Sequence, residues 1–447
     1  MNVVLVSTYE LGRQPFGLAS PAAWLRRAGF AVTAIDVTRQ PLTAESLTGA
    51  DLVAFHLPMH TATRLAVPLL ARVRRERPTA HICCYGLYAP LNADHLRSLG
   101  VATILGGEYE RDLVAVAEEL RTGRRPTIGI SADLPRLSFV TPDRTGLPPL
   151  SEYACLVDGS DRRTVAYTEA SRGCKHLCRH CPIVPVYGGR FRVVPVDVVM
   201  ADIEAQVAAG ATHVTFGDPD FFNGIGHARA VVDAVQRRWP GLTYDVTIKV
   251  EHLLTRAADL SRLRETGCLF VTSAVESFDD RVLEHLRKGH TRRDAETAVE
   301  ACRREGLALS PTFVPFTPWT DVAGYCDHLN AIEALGLVDH VAPIQLGIRL
   351  LVTSGSHLLD LGDVVAVTKA FDPRSLTYPW RHPDSSVDAL HADVMALVGS
   401  LNGVSRREAF DAVAELAFGR SGRAWRRTPS PSRNRTEIPY LNEPWYC

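Results

Sequence analysis

At 447 residues the chain is too long for one core of ordinary size, so it suggests two or three domains that need no disulfide staples. Its 49 Lys+Arg against 50 Asp+Glu exclude a general electrostatic footprint for nucleic acid or an anionic membrane. Met1-Asn-Val-Val-Leu-Val begins directly as a strand, with no basic n-region, and no later apolar run reaches the length of a bilayer span. The expectation is a soluble cytoplasmic protein without membrane or nucleic-acid partners.

Residues 1–122 alternate short β-rich runs with amphipathic stretches: Val3 to Ser7, Ala22 to Ala28, Ala31 to Asp36, Leu52 to Phe55, Ala62 to Arg75, Ala80 to Tyr85 and Thr103 to Leu105. That alternation predicts a Rossmann-like, doubly wound parallel sheet, with Gly106-Gly107-Glu108 as a turn and a helix from Glu110 to Leu120. Prolines 126, 135, 142, 148 and 149 mark residues 123–163 as a connector.

A second βα series starts at Thr164. Its candidate strands are Thr164 to Thr168, His213 to Gly217, Tyr244 to Val250, Cys268 to Ala274, Ala308 to Val314 and His340 to Leu346. Helical segments of crossover length separate them, so residues 164–349 predict a partial (β/α)6 barrel of TIM type with its chemistry at the C-terminal strand ends. Residues 350–425, including Trp380-Arg-His382-Pro-Asp384, are expected to form an α-rich cap that shapes the substrate pocket. The Ser/Pro/Arg stretch opens a flexible tail, 426–447, ending in Cys447.

Of ten cysteines, only three are clustered at ligand-like spacing, in Cys174-Lys-His-Leu-Cys178-Arg-His-Cys181, just after a predicted strand and the turn Ser171-Arg-Gly173. Cys155, Cys268, Cys302 and Cys326 read as small core hydrophobes, and Cys83-Cys84 point to opposite faces of a strand. Three thiolates without a nearby fourth suit a cubane iron–sulfur cluster that leaves one iron open to a small molecule. Zinc is the competing reading, with His176 or His180 completing a tetrahedral site in a zinc-bearing or metal-sensing binding protein.

The C-x3-C-x2-C loop after the first barrel strand resembles the signature of the radical S-adenosylmethionine (radical SAM) superfamily. The resemblance implies a [4Fe-4S] cluster on Cys174, Cys178 and Cys181, with SAM on the open iron and an electron donor such as flavodoxin or ferredoxin. It further implies SAM contacts at Gly217 and Asp218, at Asp220 and Phe221 in an Asp-x-Phe variant, at Glu251, and at Glu276 and Ser277. His180 takes the place of an aromatic that contacts adenine. Two departures stand out. Lys249 to Glu251 lacks the usual Arg, and Ser310 to Thr320 replaces a Gly-rich adenine segment.

The N-terminal domain resembles the cobalamin-binding-like domain of one branch of that superfamily. Thr8-Tyr-Glu-Leu-Gly-Arg-Gln-Pro stands where a histidine-bearing loop would ligate cobalt, and His56 and His60 lie after a later strand. Cobalamin is left as an open cofactor, held without a protein ligand to cobalt by shape and contacts to the corrin. The ending Glu443-Pro444-Trp445-Tyr446-Cys447 resembles radical SAM (seleno)proteins with a Cys-Sec-Ala-Glu-Pro or Cys-Cys-Ala-Glu-Pro tail, which implies a chain continuing past Cys447 with selenocysteine. A soft pair there implies a catalytic thiol presented to a small-molecule substrate, an arsenical acquiring a SAM-derived carbon group among the candidates. Either 5′-deoxyadenosyl or 3-amino-3-carboxypropyl chemistry fits the motifs.

Overall fold

A run of apolar residues buried on both faces places β1 (Asn2–Ser7) inside the first sheet, between two neighbours. The structure, a computed structural model, describes residues 1–401, 403–425, 427 and 438–442. Beside β1 lie β2 (Ala31–Asp36), β3 (Ala50–His56), β4 (His81–Tyr85), β5 (Thr103–Leu105) and β6 (Ile130–Ser131), in the order β2-β1-β3-β4-β5-β6. All pairs are parallel. Val3 and Leu5 pack on the helices Phe16–Arg27 and Glu110–Arg121, whereas Val4 and Val6 face Ala66, Leu70 and Val73 of His60–Glu76. This is the doubly wound sheet expected.

The second sheet contains β7 (Cys155–Asp158), β8 (Asp161–Thr168), β11 (His213–Phe216), β12 (Thr243–Thr247), β13 (Cys268–Glu276), β14 (Ala308–Phe313) and β15 (Tyr440–Leu441); the short antiparallel pair β9 (Ser171–Gly173) and β10 (Phe191–Val193) stands apart. Its order is β14-β13-β12-β11-β8-β7-β15, with β8 to β14 parallel and β7 antiparallel to both neighbours. The sheet curls into a half-barrel. Helices cross over it by the expected periodicity. Arg292–Arg304, for example, begins with a capping box of Thr291 and Asp294 and buries Ala295, Ala298, Val299 and Cys302 on one face.

Two departures matter. His340 to Leu346 is not a sixth strand but two 3-10 turns, Val338–His340 and Pro343–Leu346. Pro343 has no N–H to give a ladder, and the side chain of Gln345 takes over part of that job, accepting from Phe313 N at 2.9 Å. The place of the strand shrinks to a single bridge between Phe316 and Arg349. The helices Ser385–Ser400 and Arg406–Arg420 instead close this side, burying Val387, Leu390, Val394, Phe410 and Val413 in the barrel core. Second, the stretch 123–163, read as a connector, supplies β6 to the first sheet and β7 to the second.

Both sheets turn their C-terminal ends toward each other. Arg172, on β9, joins them: it meets Glu108 at 3.2 Å and Glu110 at 2.7 Å from the N-terminal domain, and Glu169 at 2.8 Å from its own. Arg144 adds a second clasp, donating to Asp202 Oδ2 at 3.0 Å and to Gln14 Oε1 at 3.0 Å.

Candidate cluster site at the barrel mouth

The cysteine loop leaves β9 through Gly173, whose φ is +74°. A Cβ there would lie 2.3 Å from the Tyr187 ring and 2.5 Å from the Arg190 carbonyl, so only glycine lets the chain turn here. Asn223, after β11, pins the loop. Its Oδ1 accepts from Lys175 N at 3.3 Å and lies 3.9 Å from Cys174 Sγ, and its Nδ2 donates to Gly173 O at 3.4 Å. Farther along, Arg179 N donates to Leu286 O at 3.0 Å and its guanidinium to His285 O at 2.9 Å.

The three thiols sit on one short loop, and Cys181 is near enough to Cys174 and Cys178 for charge on them to raise its pKa. All three are free. Burial pushes the Cys181 thiol up to about 12 and raises that of Cys174, so bare thiolates are costly here and a bound metal would offset that cost. The other described cysteines are on β4, β7, the start of β13 and two helices, so none of them supplies a fourth ligand.

Two polar clusters flank the loop. Glu276, at the end of β13 with φ +68°, is paired with Lys288 Nζ at 3.1 Å and with His180 Nε2 at 3.0 Å. Burial opposes ionisation of Glu276, but Lys288 and His180 outweigh it and hold the carboxyl down at about 2. In the other cluster, Asp220 Oδ2 stands 2.6 Å from His252 Nδ1 and 3.2 Å from His176 Nε2. These are ion-pair distances without hydrogen-bond alignment. Lys249 Nζ donates to His176 Nδ1 and to Glu251 Oε2, each at 3.1 Å.

Asp218 is committed to the backbone turn: Oδ2 accepts from Ala170 N at 2.9 Å and Oδ1 from Ser171 Oγ at 2.5 Å, and burial pushes its carboxyl up to about 7. Gly217 lines the space between the sheets, where a Cβ would strike the Tyr167 hydroxyl at 1.9 Å. Ser277 Oγ accepts from Asp279 N at 3.0 Å. Glu251 is half-exposed. Cys447 lies outside the described residues. Sequence reasoning gave no role to Asn223 or His252, and Lys288 only a place in the run Leu286-Arg-Lys288-Gly289-His-Thr291, which resembles a family pattern. Asn223 and His252 carry no spacing signal, since each reaches the site only through the fold.

Between the two sets of strand ends lies a cavity of about 270 Å³, lined by residues such as Glu10, Arg13, His56, Tyr109, Glu169 and Tyr187. A corrin would need this space to widen. Clefts for ligands of drug size run from about 300 to 1,000 Å³, and a corrin is larger still. The one histidine on this wall, His56, is held by Glu10 at 2.8 Å and packs 5.2 Å from the Tyr85 ring.

Residues 168–322 match the family model described as Radical SAM superfamily. The tRNA-2-methylthio-N(6)-dimethylallyladenosine synthase of Methylococcus capsulatus is 24% identical over 282 residues, 59% of this chain and 57% of that protein. The chain thus spans little more than half the length of that curated relative. Among solved structures, the cobalamin-dependent radical SAM enzyme OxsB with aqua-cobalamin superposes with a TM-score of 0.70 at 13% identity, covering 93% of this chain and 71% of that one. The radical SAM methyltransferase TsrM from Kitasatospora setae, with cobalamin and a [4Fe-4S] cluster bound, gives 0.59 at 19% identity over 75% and 70% of the two chains. At these identities the likeness is one of fold: a parallel sheet followed by a half-barrel. Among the described residues no helix is long and apolar enough to cross a membrane.

Proposed function

We propose, because residues 168–322 match the radical SAM family model, that this chain is an enzyme that holds a [4Fe-4S] cluster on Cys174, Cys178 and Cys181 and uses it to cleave SAM. The observation that carries this reading is three free soft donors on one short loop after β9, with no fourth cysteine on the neighbouring loops among the described residues. When bound, the cluster supplies the electron that breaks a carbon–sulfur bond of SAM.

The chain's own residues position and shield. Asn223 and Gly173 set the path of the loop, and Arg179 ties its middle to the segment after β13. Lys288 puts a fixed positive charge near Cys178 and Cys181, which favours thiolates and an anionic cluster. His180, Gly217, Asp220, Glu251, Glu276 and Ser277 are the residues that would face SAM, with Asp218 acting behind them as a brace of the turn. The electron would come from a small donor such as flavodoxin or ferredoxin, and the substrate would be a small molecule.

A finer reading has Cys447 presenting a soft element such as arsenic to a SAM-derived carbon group. It rests on the tail pattern alone. A second reading, a zinc protein without SAM chemistry, draws on one observation: donor atoms of Cys174, His176 and Asp220 lie within 4.8 Å of one another. It leaves Cys178 and Cys181 without a role. Anaerobic reconstitution decides between them. The radical SAM reading expects about four irons and four sulfides per chain, lost when the three cysteines are changed to alanine, and SAM cleaved under a strong reductant. 5′-Deoxyadenosine would mark hydrogen abstraction, and methylthioadenosine would mark 3-amino-3-carboxypropyl transfer. Zinc without iron in anaerobically purified protein would overturn it.

A further inference from the structure

Arg13 is out of pattern. It belongs to the N-terminal domain, in the loop between β1 and the helix Phe16–Arg27, yet it reaches the barrel: its guanidinium carbon lies 5.0 Å from the centre of the Tyr167 ring on β8. The loop is built to hold it there. Leu11 and Gly12 both take left-handed conformations, with φ of 54° and 69°. Gly12 O accepts from Ala154 N at 2.8 Å, Gln14 Nε2 donates to Pro148 O at 2.8 Å, and Glu10 Oε2 accepts from Phe16 N at 3.1 Å.

Arg13 lines two cavities at once, the one of about 270 Å³ between the sheets and one of about 730 Å³ inside the half-barrel. The second also has Asp245, Thr272, Ser310, Thr312 and Gln345 on its wall. Several other arginines that join elements meet carboxylates: Arg144 meets Asp202, Arg172 meets Glu108, Glu110 and Glu169, Arg349 meets Asp388, and Arg407 meets Glu333; Arg179 and Arg192 donate to carbonyls. Arg13 meets none among the described residues, and its buried Nε has no hydrogen-bond partner. The aromatic face of Tyr167 compensates part of the cost of setting a cation there. It cannot accept the fork of N–H groups, whose natural complement is a carboxylate or a tetrahedral oxyanion.

We propose that Arg13 is the anion anchor of the substrate site, so that the small molecule worked on in this barrel carries a compact carboxylate or oxyanion held against Tyr167. Calling the anion a substrate rests on the radical SAM reading; the binding itself does not. The N-terminal domain then contributes a specificity-determining side chain to the chemistry of the barrel.

The test uses the reconstituted full-length chain titrated by calorimetry with malonate as a carboxylate probe and inorganic phosphate as a tetrahedral one. Saturable binding of at least one is expected, weakened tenfold or more in R13Q and less in R13K, with SAM affinity changed less than twofold. The stronger probe tells which geometry the site prefers. R13K keeps the charge and loses only the fork, so it carries the test if R13Q does not fold. The proposal is overturned if the wild-type chain binds neither probe, if R13Q or R13K binds them as the wild type does, or if SAM affinity falls in parallel, because the anion would then be the carboxylate of SAM. Arg13-dependent malonate binding in a chain that takes up no iron would uphold the anchor and sink the radical SAM reading.

Discussion

Lys288 Nζ and Glu276 Oε1 form an ion pair of 3.1 Å in which both side chains are almost wholly buried, directly behind the cysteine loop. Lys288 also lies within electrostatic reach of Cys178 and Cys181. The pair therefore joins the end of β13 to the loop that would carry the cluster.

Removing one partner leaves the other charge buried alone. Glu276→Ala should destabilise the fold by about 3–5 kcal/mol, read as a lower denaturant midpoint of the cluster-free protein. Lys288→Met should also cost stability, because Glu276 then keeps only His180, and should in addition lower iron uptake, because it removes the positive charge near two thiols. Equal iron content in wild type and Lys288→Met would reject that role.

Asn223→Ala deprives Lys175 N of its acceptor and frees Gly173 O and Cys174. A loss of about 1–3 kcal/mol is expected for the unsatisfied groups, together with a cluster that oxygen bleaches faster. The decay of visible absorbance on exposure to air measures this.

Glycines 173 and 188 give an internal control. Both have positive φ, +74° and +54°, but a Cβ on Gly173 would clash at 2.3 Å while one on Gly188 meets open space. Gly188→Ala should cost only the left-handed penalty of about 1–2 kcal/mol. Gly173→Ala should abolish iron binding, as measured by iron per chain. Comparable iron in both variants would show that the turn is not what places the loop.

Burial raises the Asp218 carboxyl to about 7 from an ordinary value of 3.8. The folded state therefore binds more protons than the unfolded state between these values. Its contribution is fully present below about pH 3.8 and is lost as pH rises through about 7. Asp218→Asn can still accept from Ala170 N and can donate to Ser171 Oγ, so it should flatten this part of the stability profile in denaturation curves taken from pH 4 to 8. A variant with the wild-type slope would place the titration elsewhere.

Reconstitution with hydroxocobalamin followed by gel filtration should leave no corrin absorbance on the protein, given the small cavity and the engagement of His56 with Glu10. Retained corrin would show that the space between the domains opens.

The sequence by itself determined what is local. Cys174, Cys178 and Cys181 are so close along the chain that covalent geometry lets one loop bring them together, and the periods of 2 and 3.6 residues placed most strands and helices. It misread His340 to Leu346, where an apolar run looked like a strand but Pro343 and the side chain of Gln345 gave the backbone another solution. Only the tertiary structure decided the partners of that loop. Asn223, Lys288 and Arg13 are separated from the cysteines by tens to more than a hundred positions, and which of them meets the cluster loop or the barrel depends on how the strand ends face one another. Such contacts follow from packing and charge pairing across the fold, which no spacing along the chain encodes.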